Sequence, residues 1–257
     1  MPGTSSVGLN MGLLSNFKAL LQRPSYDSDG MRLYSRTLGF REDPRFLSAY
    51  HRGMNSGHII LRPAGSTKDI GVDYRAYIEC WAAEHGLHLP GDFVWCGVNT
   101  GIFSLTACEY TDVNKSGKAI WLFDTYEGIP VDQMSPAELR TNRSAENVMY
   151  PECYELAKRN FADFPRAVLV RGKVPDTLGT VAIDRVSYLS IDMNIAYPER
   201  KAIEFFWPKL SSGAIVILDD YGFTPYVEQK QSMDEFARSV GVAVCTLPTG
   251  QGMLIKP

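Results

Sequence analysis

The segment Val186–Gly222 constrains the fold more than any other part of the chain, because its pattern predicts a strand, a helix and a second strand in succession. Residues 186–191 form a short apolar run, and residues 198–210 place apolar side chains at helical spacing. A Ser-Ser-Gly break ends the helix, and residues 214–218 form a second apolar run typical of a buried parallel strand. Such units build α/β folds, so a parallel sheet is predicted.

Three aspartates follow these two strands. Asp192 closes the first strand, and Asp219 and Asp220 close the second. Because the carboxyl ends of neighbouring parallel strands meet at one sheet edge, the three carboxylates are expected to converge there. Their mutual repulsion requires a cation or strong donors, and oxygen ligands on strand ends suit Mg²⁺. The alternative is that Asp219 caps the next segment, Asp220 lies in solvent and Asp192 holds a turn.

The rest of the chain alternates strands and helices in the same way. Further strands are predicted at residues 92–96, 119–123, 167–171, 242–247 and 252–256, and further helices from residue 44 and at residues 73–85, 102–110, 151–164 and 228–239. The last two strands are joined by a short turn, so one of them runs antiparallel to the others. The predicted fold is α/β and Rossmann-like, with a seven-stranded, mostly parallel sheet and helices on both faces.

The N-terminal part has a different pattern. Residues 1–71 are predicted to be an N-terminal helical cap or assembly segment, and residues 72–257 the α/β domain. Residues 1–12 are rich in Gly and Ser and are expected to fray, whereas Leu13–Leu21 could form a short amphipathic helix. Its apolar stripe is compatible with docking on the domain or with a homo-oligomer.

Composition excludes several classes of protein. The formal net charge of −3 gives no basic surface for nucleic acid. Five cysteines without a CxxC spacing indicate a reducing compartment. No apolar run is long enough to span a membrane, and residues 1–16 lack the features of a signal peptide. We therefore expect a cytoplasmic protein without a nucleic-acid or membrane partner.

A glycine-bounded loop and an acid indicate a nucleoside cofactor. The loop Gly97–Gly101 follows a strand and opens a helix, so the backbone N–H groups at Gly97, Val98 and Asn99 are expected to face a ligand. Asp124 ends the next strand, where a carboxylate can accept hydrogen bonds from two ribose hydroxyls. The loop is not the dinucleotide pattern GxGxxG. A nucleoside without a phosphate clamp fits S-adenosylmethionine.

Several ordered motifs carry a family resemblance. The runs PGDFVWCGVNTG, WLFDTYEGIP, RGKVPDTL, LSIDMNIAYP and VILDDYG, followed by MDEFARSVGV and PTGQGMLIK, resemble the macrocin O-methyltransferase family of TylF- and MycF-type enzymes. The resemblance covers residues 90–256. It implies a class I methyltransferase that uses S-adenosylmethionine and Mg²⁺ and methylates sugar hydroxyls of natural products.

The resemblance also implies roles for individual residues. Cofactor binding is expected of Gly97, Val98, Asn99, Gly101, Asp124, Gly172, Lys173 and Asp192, with Gly172 and Lys173 flanking the adenine. Metal binding is expected of Asp192, Asp219 and Asp220. Catalytic roles are expected of Asp192 and Asn194.

Two positions depart from the family pattern. Trp95 stands where members carry an acid for the cofactor's amino group, which leaves backbone carbonyls or Glu127 as acceptors. Asn194 stands where some members carry an aspartate as the general base. An amide cannot take a proton at neutral pH, although it can orient a hydroxyl. The proton would then leave to water, to a metal-binding aspartate, or to His51 or His58.

The predicted function is O-methylation of a hydroxyl on a small-molecule acceptor, a sugar or glycosylated compound, with S-adenosylmethionine and Mg²⁺. Three alternatives stay open. The first is a non-catalytic or degenerate protein that binds the cofactor or a sugar, which Trp95 and Asn194 favour. The second is a catechol-type O-methyltransferase. The third is a nicotinamide dehydrogenase, which the missing GxGxxG pattern disfavours.

Overall fold

A computed structural model describes residues 23–141 and 143–257. The predicted frayed segment and the predicted helix Leu13–Leu21 lie outside these residues. Residues 23–39 belong to one compact unit, and Phe40–Pro257 form a second. Residues 40–71, predicted to belong to the N-terminal segment, are thus part of the same compact unit as the sheet.

The first unit contains a two-stranded hairpin that the sequence analysis did not predict. Its strands, β1 (Tyr26–Ser28) and β2 (Met31–Leu33), pair antiparallel. Asp29 and Gly30 connect them with φ values of 49° and 71°. Two consecutive left-handed residues, Asp then Gly, are the preferred chemistry of a two-residue hairpin turn.

The second unit has the predicted α/β architecture. Its strands are β3 (Asp92–Cys96), β4 (Ile120–Asp124), β5 (Ala167–Arg171), β6 (Val186–Ile191), β7 (Leu210–Leu218), β8 (Cys245–Thr246) and β9 (Gly252–Ile255). Its α-helices are α1 (Pro44–Met54), α2 (Asp73–Leu87), α3 (Ile102–Thr111), α4 (Pro136–Arg140), α5 (Tyr154–Asn160), α6 (Ala196–Phe206) and α7 (Val227–Ser239). Within residues 23–141 and 143–257, no helix is long and apolar enough to traverse a bilayer.

The strand order in the sheet is β5-β4-β3-β6-β7-β9-β8. β3 pairs parallel with β4 and β6, and β9 pairs antiparallel with β7 and β8. The predicted mostly parallel sheet with one antiparallel strand is confirmed. The connections reverse direction between β3 and β6, and α/β sheets form a ligand crevice at such a switch point.

Helices cover both faces of this sheet. On one face, Val94 and Leu189 pack in a buried cluster with Ile203 and Phe206 of α6 and Phe236 of α7. On the other face, α2 lies so close to the sheet that a side chain at Gly86 would meet the Phe93 ring and the Cβ of Tyr188 at 3.0 Å. Both faces of the central strands are therefore buried, which explains why their sequences are continuous apolar runs.

Helix α1 joins the second unit through its crossing with α3. A Cβ atom at Gly53 would overlap the Thr106 hydroxyl and the Ile102 carbonyl, so only glycine allows the two backbones this approach. Asp43 caps α1 by accepting the Arg45 N–H at 2.9 Å, and Pro44 occupies the first turn, so the helix begins at residue 44 as predicted.

Several element boundaries differ from the predictions. The helix predicted at residues 151–164 is only Tyr154–Asn160, and the strand predicted at 242–247 is only Cys245–Thr246. Strand β7 begins at Leu210 rather than residue 214, because the Ser-Ser-Gly break is an irregularity inside the strand: Val186 pairs with Leu210, and Tyr188 with Ile215. A bulge of this kind holds extra residues without ending the pairing.

Candidate functional site

A cavity opens at the carboxyl ends of β3, β4, β5 and β6, on both sides of the switch point. The start of α3 and the irregular segment between β4 and α5 also contribute to its lining. Its polar lining includes Asn99, Asp124, Gln133, Asp192 and Asn194. Four of these five belong to the predicted site.

The predicted cofactor loop lies at this cavity. Gly97, Val98 and Asn99 line it, whereas Gly101 directly precedes α3 and is not among the lining residues. Gly97, Asn99 and Gly101 have φ values of 90°, 50° and 105°. A side chain at Gly97 would overlap the backbone carbonyl of Asp192, so glycine is required where β3 ends against β6. The loop therefore brings backbone N–H groups and a helix N-terminus to the cavity.

Asp124 lies at the end of β4, as predicted, but its carboxylate is engaged by the backbone. Its Oδ2 accepts the N–H of Val98 at 2.6 Å and of Asn99 at 2.7 Å, and its Oδ1 accepts the N–H of Tyr126 at 2.6 Å. A carboxylate offers about four acceptor positions, so little capacity remains for a ribose diol. Ribose binding by Asp124 stays a prediction, and it requires the loop amides to exchange partners.

Gly172 and Lys173 have different surroundings. Gly172, with a φ of 140°, lines the cavity just after β5. The Lys173 ammonium lies 2.7 Å from the carboxylate of Asp132 in an exposed ion pair, and Lys173 is not among the lining residues. Of this predicted adenine-flanking pair, Gly172 thus lies at the cavity, whereas the Lys173 side chain lies at the surface.

Three cavity side chains carry buried polar atoms that have no hydrogen-bond partner among the described residues: Asn99 Nδ2, Ser104 Oγ and Gln133 Oε1. The Gln133 amide donates from Nε2 to the carbonyl of Val174 at 2.9 Å, which leaves Oε1 as the unpaired acceptor. The Cys153 thiol donates to Asn99 Oδ1 at 3.3 Å, which leaves Nδ2 as the unpaired donor. Unpaired buried groups cost free energy, so the residues present fit a ligand with both donors and acceptors, such as a nucleoside.

The three predicted metal ligands come together at the ends of β6 and β7. One carboxylate oxygen from each of Asp192, Asp219 and Asp220 lies within 4.8 Å of the others. Asp219 and Asp220 are 1% and 7% exposed, so Asp220 does not lie in solvent as the alternative interpretation requires. Asp192 also lines the cavity. We call these three residues the acid cluster.

Other side chains hold the acid cluster in place. Asp219 Oδ1 accepts from Arg75 Nε at 3.2 Å and from Gln251 Nε2 at 3.0 Å, and Arg75 Nη2 pairs with Asp219 Oδ2. Asp220 Oδ2 accepts from Asn194 Nδ2 at 2.8 Å. Arg75 and Gln251 come from elements far from β6 and β7 in the sequence, and sequence reasoning missed both.

The electrostatics of the acid cluster favour a cation. Burial raises the pKa of Asp192 and of Asp220, and the charge of Asp220 raises that of Asp192 further, whereas Arg75 lowers both. The guanidinium of Arg75 supplies one positive charge to a group of three carboxyl side chains. Convergent carboxylate oxygens with excess negative charge are the ligand set of a hard divalent ion, so the residues present fit Mg²⁺.

Trp95 contacts a buried acidic residue, Glu79. Its indole N–H donates to Glu79 Oε2 at 3.3 Å, and Glu79 also accepts from the Tyr188 hydroxyl and from Ser190 Oγ at 2.9 Å. Burial raises the pKa of Glu79, whereas these three donors lower it. Trp95 and Ser190 both line the cavity. The available sequence signal was an acid on the buried face of α2, but nothing in the spacing linked it to Trp95.

The other groups considered for proton or ammonium binding lie elsewhere. His51 is exposed on α1, next to the Asn55 amide, and His58 is buried in the connection to α2. Neither histidine is among the residues that line the cavity. Burial lowers the pKa of His58 to about 4. Glu127 lines the cavity but pairs with Arg171 at 3.0 Å.

The segment between β4 and α5 supplies lining residues that the sequence analysis did not identify. Ile129, Gln133 and Tyr150 all line the cavity. Burial raises the pKa of Tyr150, and the charges of Asp192 and Asp220 raise it further. The segment consists of short turns and the five-residue helix α4, so no periodic pattern marks it in the sequence.

Comparison with known proteins decides the family. Residues 76–244 match the family model described as macrocin-O-methyltransferase (TylF), which is more than half of the chain. The chain belongs to this family. The macrocin O-methyltransferases are S-adenosylmethionine-dependent enzymes, so membership excludes the nicotinamide dehydrogenase alternative and confirms the predicted class of enzyme.

Known relatives of this chain act on natural products. Demethyldecarbamoylnovobiocin O-methyltransferase of Streptomyces niveus is 26% identical over 191 residues, which cover 70% of this chain and 71% of that protein. Mycinamicin III 3''-O-methyltransferase of Micromonospora griseorubida is 26% identical over 144 residues, which cover 52% of this chain and 56% of that protein. The chain therefore matches little more than half the length of this second relative.

A solved structure has the same fold. The O-methyltransferase NovP superposes with a TM-score of 0.64 at 24% identity, over 76% of this chain and 83% of NovP. This similarity confirms the Rossmann-like architecture predicted from the sequence.

Proposed function

We propose that this chain transfers a methyl group from S-adenosylmethionine to a hydroxyl of a sugar or another small natural-product acceptor, with Mg²⁺ bound by the acid cluster. The observation that carries the proposal is the position of Asp192, which lines the cavity and belongs to the acid cluster. A cofactor in the cavity and a metal-bound hydroxyl would therefore be neighbours. The names of the relatives, which are natural-product O-methyltransferases, support the acceptor class.

The cofactor half of the site rests on the cavity lining. S-adenosylmethionine, when bound, supplies an electrophilic methyl group on a sulfonium. Gln133 Oε1 is the acceptor for the adenine amino group, because it is buried and unpaired near Gly172, the residue expected to flank the adenine. Asn99 Nδ2 donates to an acceptor atom of the nucleoside.

The amino group of the cofactor's methionine portion is assigned to Ser190 and Glu79. The Ser190 hydroxyl donates a hydrogen bond to the Glu79 carboxylate. The lone pairs of Ser190 Oγ can therefore accept a hydrogen bond from an ammonium group in the cavity. The Glu79 carboxylate, which contacts both Ser190 and Trp95, supplies the negative charge for the ammonium group that the Trp95 side chain lacks. A buried charge acts strongly at short range because the surrounding dielectric constant is low.

The acceptor half rests on the acid cluster. Mg²⁺, when bound, lowers the pKa of a hydroxyl in contact with it. Asn194 lines the cavity beside Asp220 and orients that hydroxyl, but its amide cannot take the proton. Because His51 and His58 do not line the cavity, the proton leaves to water or to a carboxylate of the acid cluster.

Calorimetric titration with S-adenosylhomocysteine, with and without Mg²⁺, tests both the cofactor half and the acceptor half of the site. We expect S-adenosylhomocysteine to bind, and Mg²⁺ to produce a separate heat that an Asp219→Ala, Asp220→Ala double variant loses. Failure of the nucleoside to bind would overturn the cofactor assignment. Binding of the nucleoside without any Mg²⁺ heat would overturn the metal assignment alone.

Methyl transfer to panels of acceptors, followed by mass spectrometry, tests the substrate class. Sugars and glycosides with vicinal hydroxyls are expected to be methylated only when Mg²⁺ is present, and the matching deoxy sugars much more slowly. Methylation restricted to catechols would favour the catechol-type alternative, because phenolic hydroxyls are more acidic and need less activation.

A further inference from the structure

Arg75 extends from the first turns of α2 to the acid cluster. Its Nε lies 3.2 Å from Asp219 Oδ1, its Nη2 pairs with Asp219 Oδ2, and its Nη2 lies 3.9 Å from Asp220 Oδ1. The side chain is 14% exposed. This is a two-bond, charge-assisted pairing, the strongest form of contact between arginine and a carboxylate.

Two aromatic rings flank the guanidinium. Its central carbon lies 5.4 Å from the ring centroid of Phe103 and 5.1 Å from that of Phe223. Phe103 also lines the cavity. Aromatic faces stabilise a guanidinium without using its N–H groups, so Arg75 keeps its donors for the acids.

The pairing competes directly with a divalent ion. Asp219 Oδ1 already accepts from both Arg75 and Gln251, and an oxygen of this kind accepts about two hydrogen bonds. Arg75 also takes a position on Asp219 Oδ2. A dication on Asp219 would in addition lie within a few ångströms of the positive guanidinium, where like charges repel strongly.

We propose that Arg75 is a displaceable counter-ion: it occupies Asp219 when no divalent cation is bound and leaves Asp219 when one binds. The inference rests on the proposed Mg²⁺ site. Arg75 keeps the buried acids paired in the metal-free protein, and it lowers the affinity for the metal, because part of the binding free energy is spent on breaking the arginine pairing.

The test is the Mg²⁺ affinity of an Arg75→Met variant, measured by calorimetry without cofactor or acceptor. We expect Mg²⁺ to bind about tenfold more tightly than to the unchanged protein, since a competing positive charge is removed. In thermal unfolding without metal, the Arg75→Met variant should have a lower melting temperature than the unchanged protein. Added Mg²⁺ should raise the melting temperature of the variant more than that of the unchanged protein. Neither readout depends on methyl transfer.

Arg45→Met is the matched control. Arg45 also stacks on a ring, 3.7 Å from the Tyr110 centroid, and pairs with the carboxylate of Glu84, but it lies on α1 away from the acid cluster. Its loss should leave the Mg²⁺ affinity unchanged. Arg75→Lys, which keeps the charge but not the two-bond pairing, should bind Mg²⁺ with intermediate affinity, and it serves if the methionine variant does not fold.

The outcomes separate this inference from the proposed function. Equal Mg²⁺ affinity in the Arg75 variants and the unchanged protein overturns the counter-ion role and leaves the metal site standing. Weaker affinity also overturns it, because Arg75 would then hold the acids in position for the metal. Absence of Mg²⁺ binding in every variant and in the unchanged protein overturns the metal site and this inference together.

Discussion

Asn194 donates its side-chain N–H to Asp220 Oδ2 over 2.8 Å, so the position where some family members are expected to carry a general base holds a donor in this chain. Asn194 has a φ of 62°, a left-handed conformation that asparagine tolerates better than most residues. The amide reduces the repulsion within the acid cluster instead of adding a fourth carboxylate to it.

Replacing Asn194 tests this relationship. Asn194→Asp and Asn194→Gly both remove the N–H donor and both accept the left-handed backbone, but only Asp adds a negative charge beside Asp220. Without divalent cations, we expect the Asp variant to be less stable than the Gly variant by about 1–3 kcal/mol, measured by urea unfolding. Added Mg²⁺ should reduce the difference in the free energy of unfolding between the Asp and Gly variants. An Asp variant as stable as the Gly variant in metal-free buffer would contradict the repulsion.

Gln133 is predicted to accept a hydrogen bond from the amino group of the adenine base. Gln133→Met keeps the size of the side chain and removes the unpaired Oε1, so the affinity for S-adenosylhomocysteine should fall about fivefold to tenfold. S-inosylhomocysteine lacks the amino group, and it should bind to the variant and to the unchanged protein with similar affinity. Equal losses for both ligands would show that Gln133 acts only on the shape of the cavity.

His58 is predicted to make stability depend on pH. Burial and the nearby Arg62 charge lower its pKa from the ordinary 6.5 to about 4. Between these values the unfolded chain binds the proton and the folded chain does not, so the free energy of unfolding falls as pH drops from 6.5 towards 4. The loss is at most about 3 kcal/mol.

Urea unfolding of His58→Leu across this pH range checks the His58 prediction. The variant should show a flatter dependence, because it no longer binds a proton on unfolding. His51→Leu, at an exposed position on α1, is the matched control for the loss of a histidine. If the free energy of unfolding of His58→Leu changes with pH as steeply as that of the unchanged protein, other groups cause the acid sensitivity.

Gly53 is predicted to be essential for the crossing of α1 with α3. In Gly53→Ala the new methyl group would overlap the Thr106 hydroxyl and the Ile102 carbonyl, and the helices would have to separate. We expect a loss of at least about 2 kcal/mol in the free energy of unfolding. Gly179→Ala is the control, because that position has open space and no left-handed backbone, and it should be neutral or slightly stabilising. Equal effects of the two substitutions would refute the close contact.

The sheet was predictable because its signals are local. The strands from β3 to β7 are short apolar runs, and the acids or glycines that end them mark the carboxyl edge. The shorter helix α5 and the early start of β7 were missed because helix ends and bulges depend on tertiary packing. The hairpin at Asp29 and Gly30 was missed although its turn residues are a recognised signal.

By itself, the sequence determined the class of fold, the family and the convergence of Asp192, Asp219 and Asp220, since strand order and strand ends place these acids at one edge. Only the tertiary structure decided what meets them: Arg75 and Gln251 on Asp219, Glu79 behind Trp95, and Gln133 in the cavity wall. The physical reason is that these partners are brought in from other elements by packing. A pattern along one strand or helix carries no information about which distant side chain lies against its end.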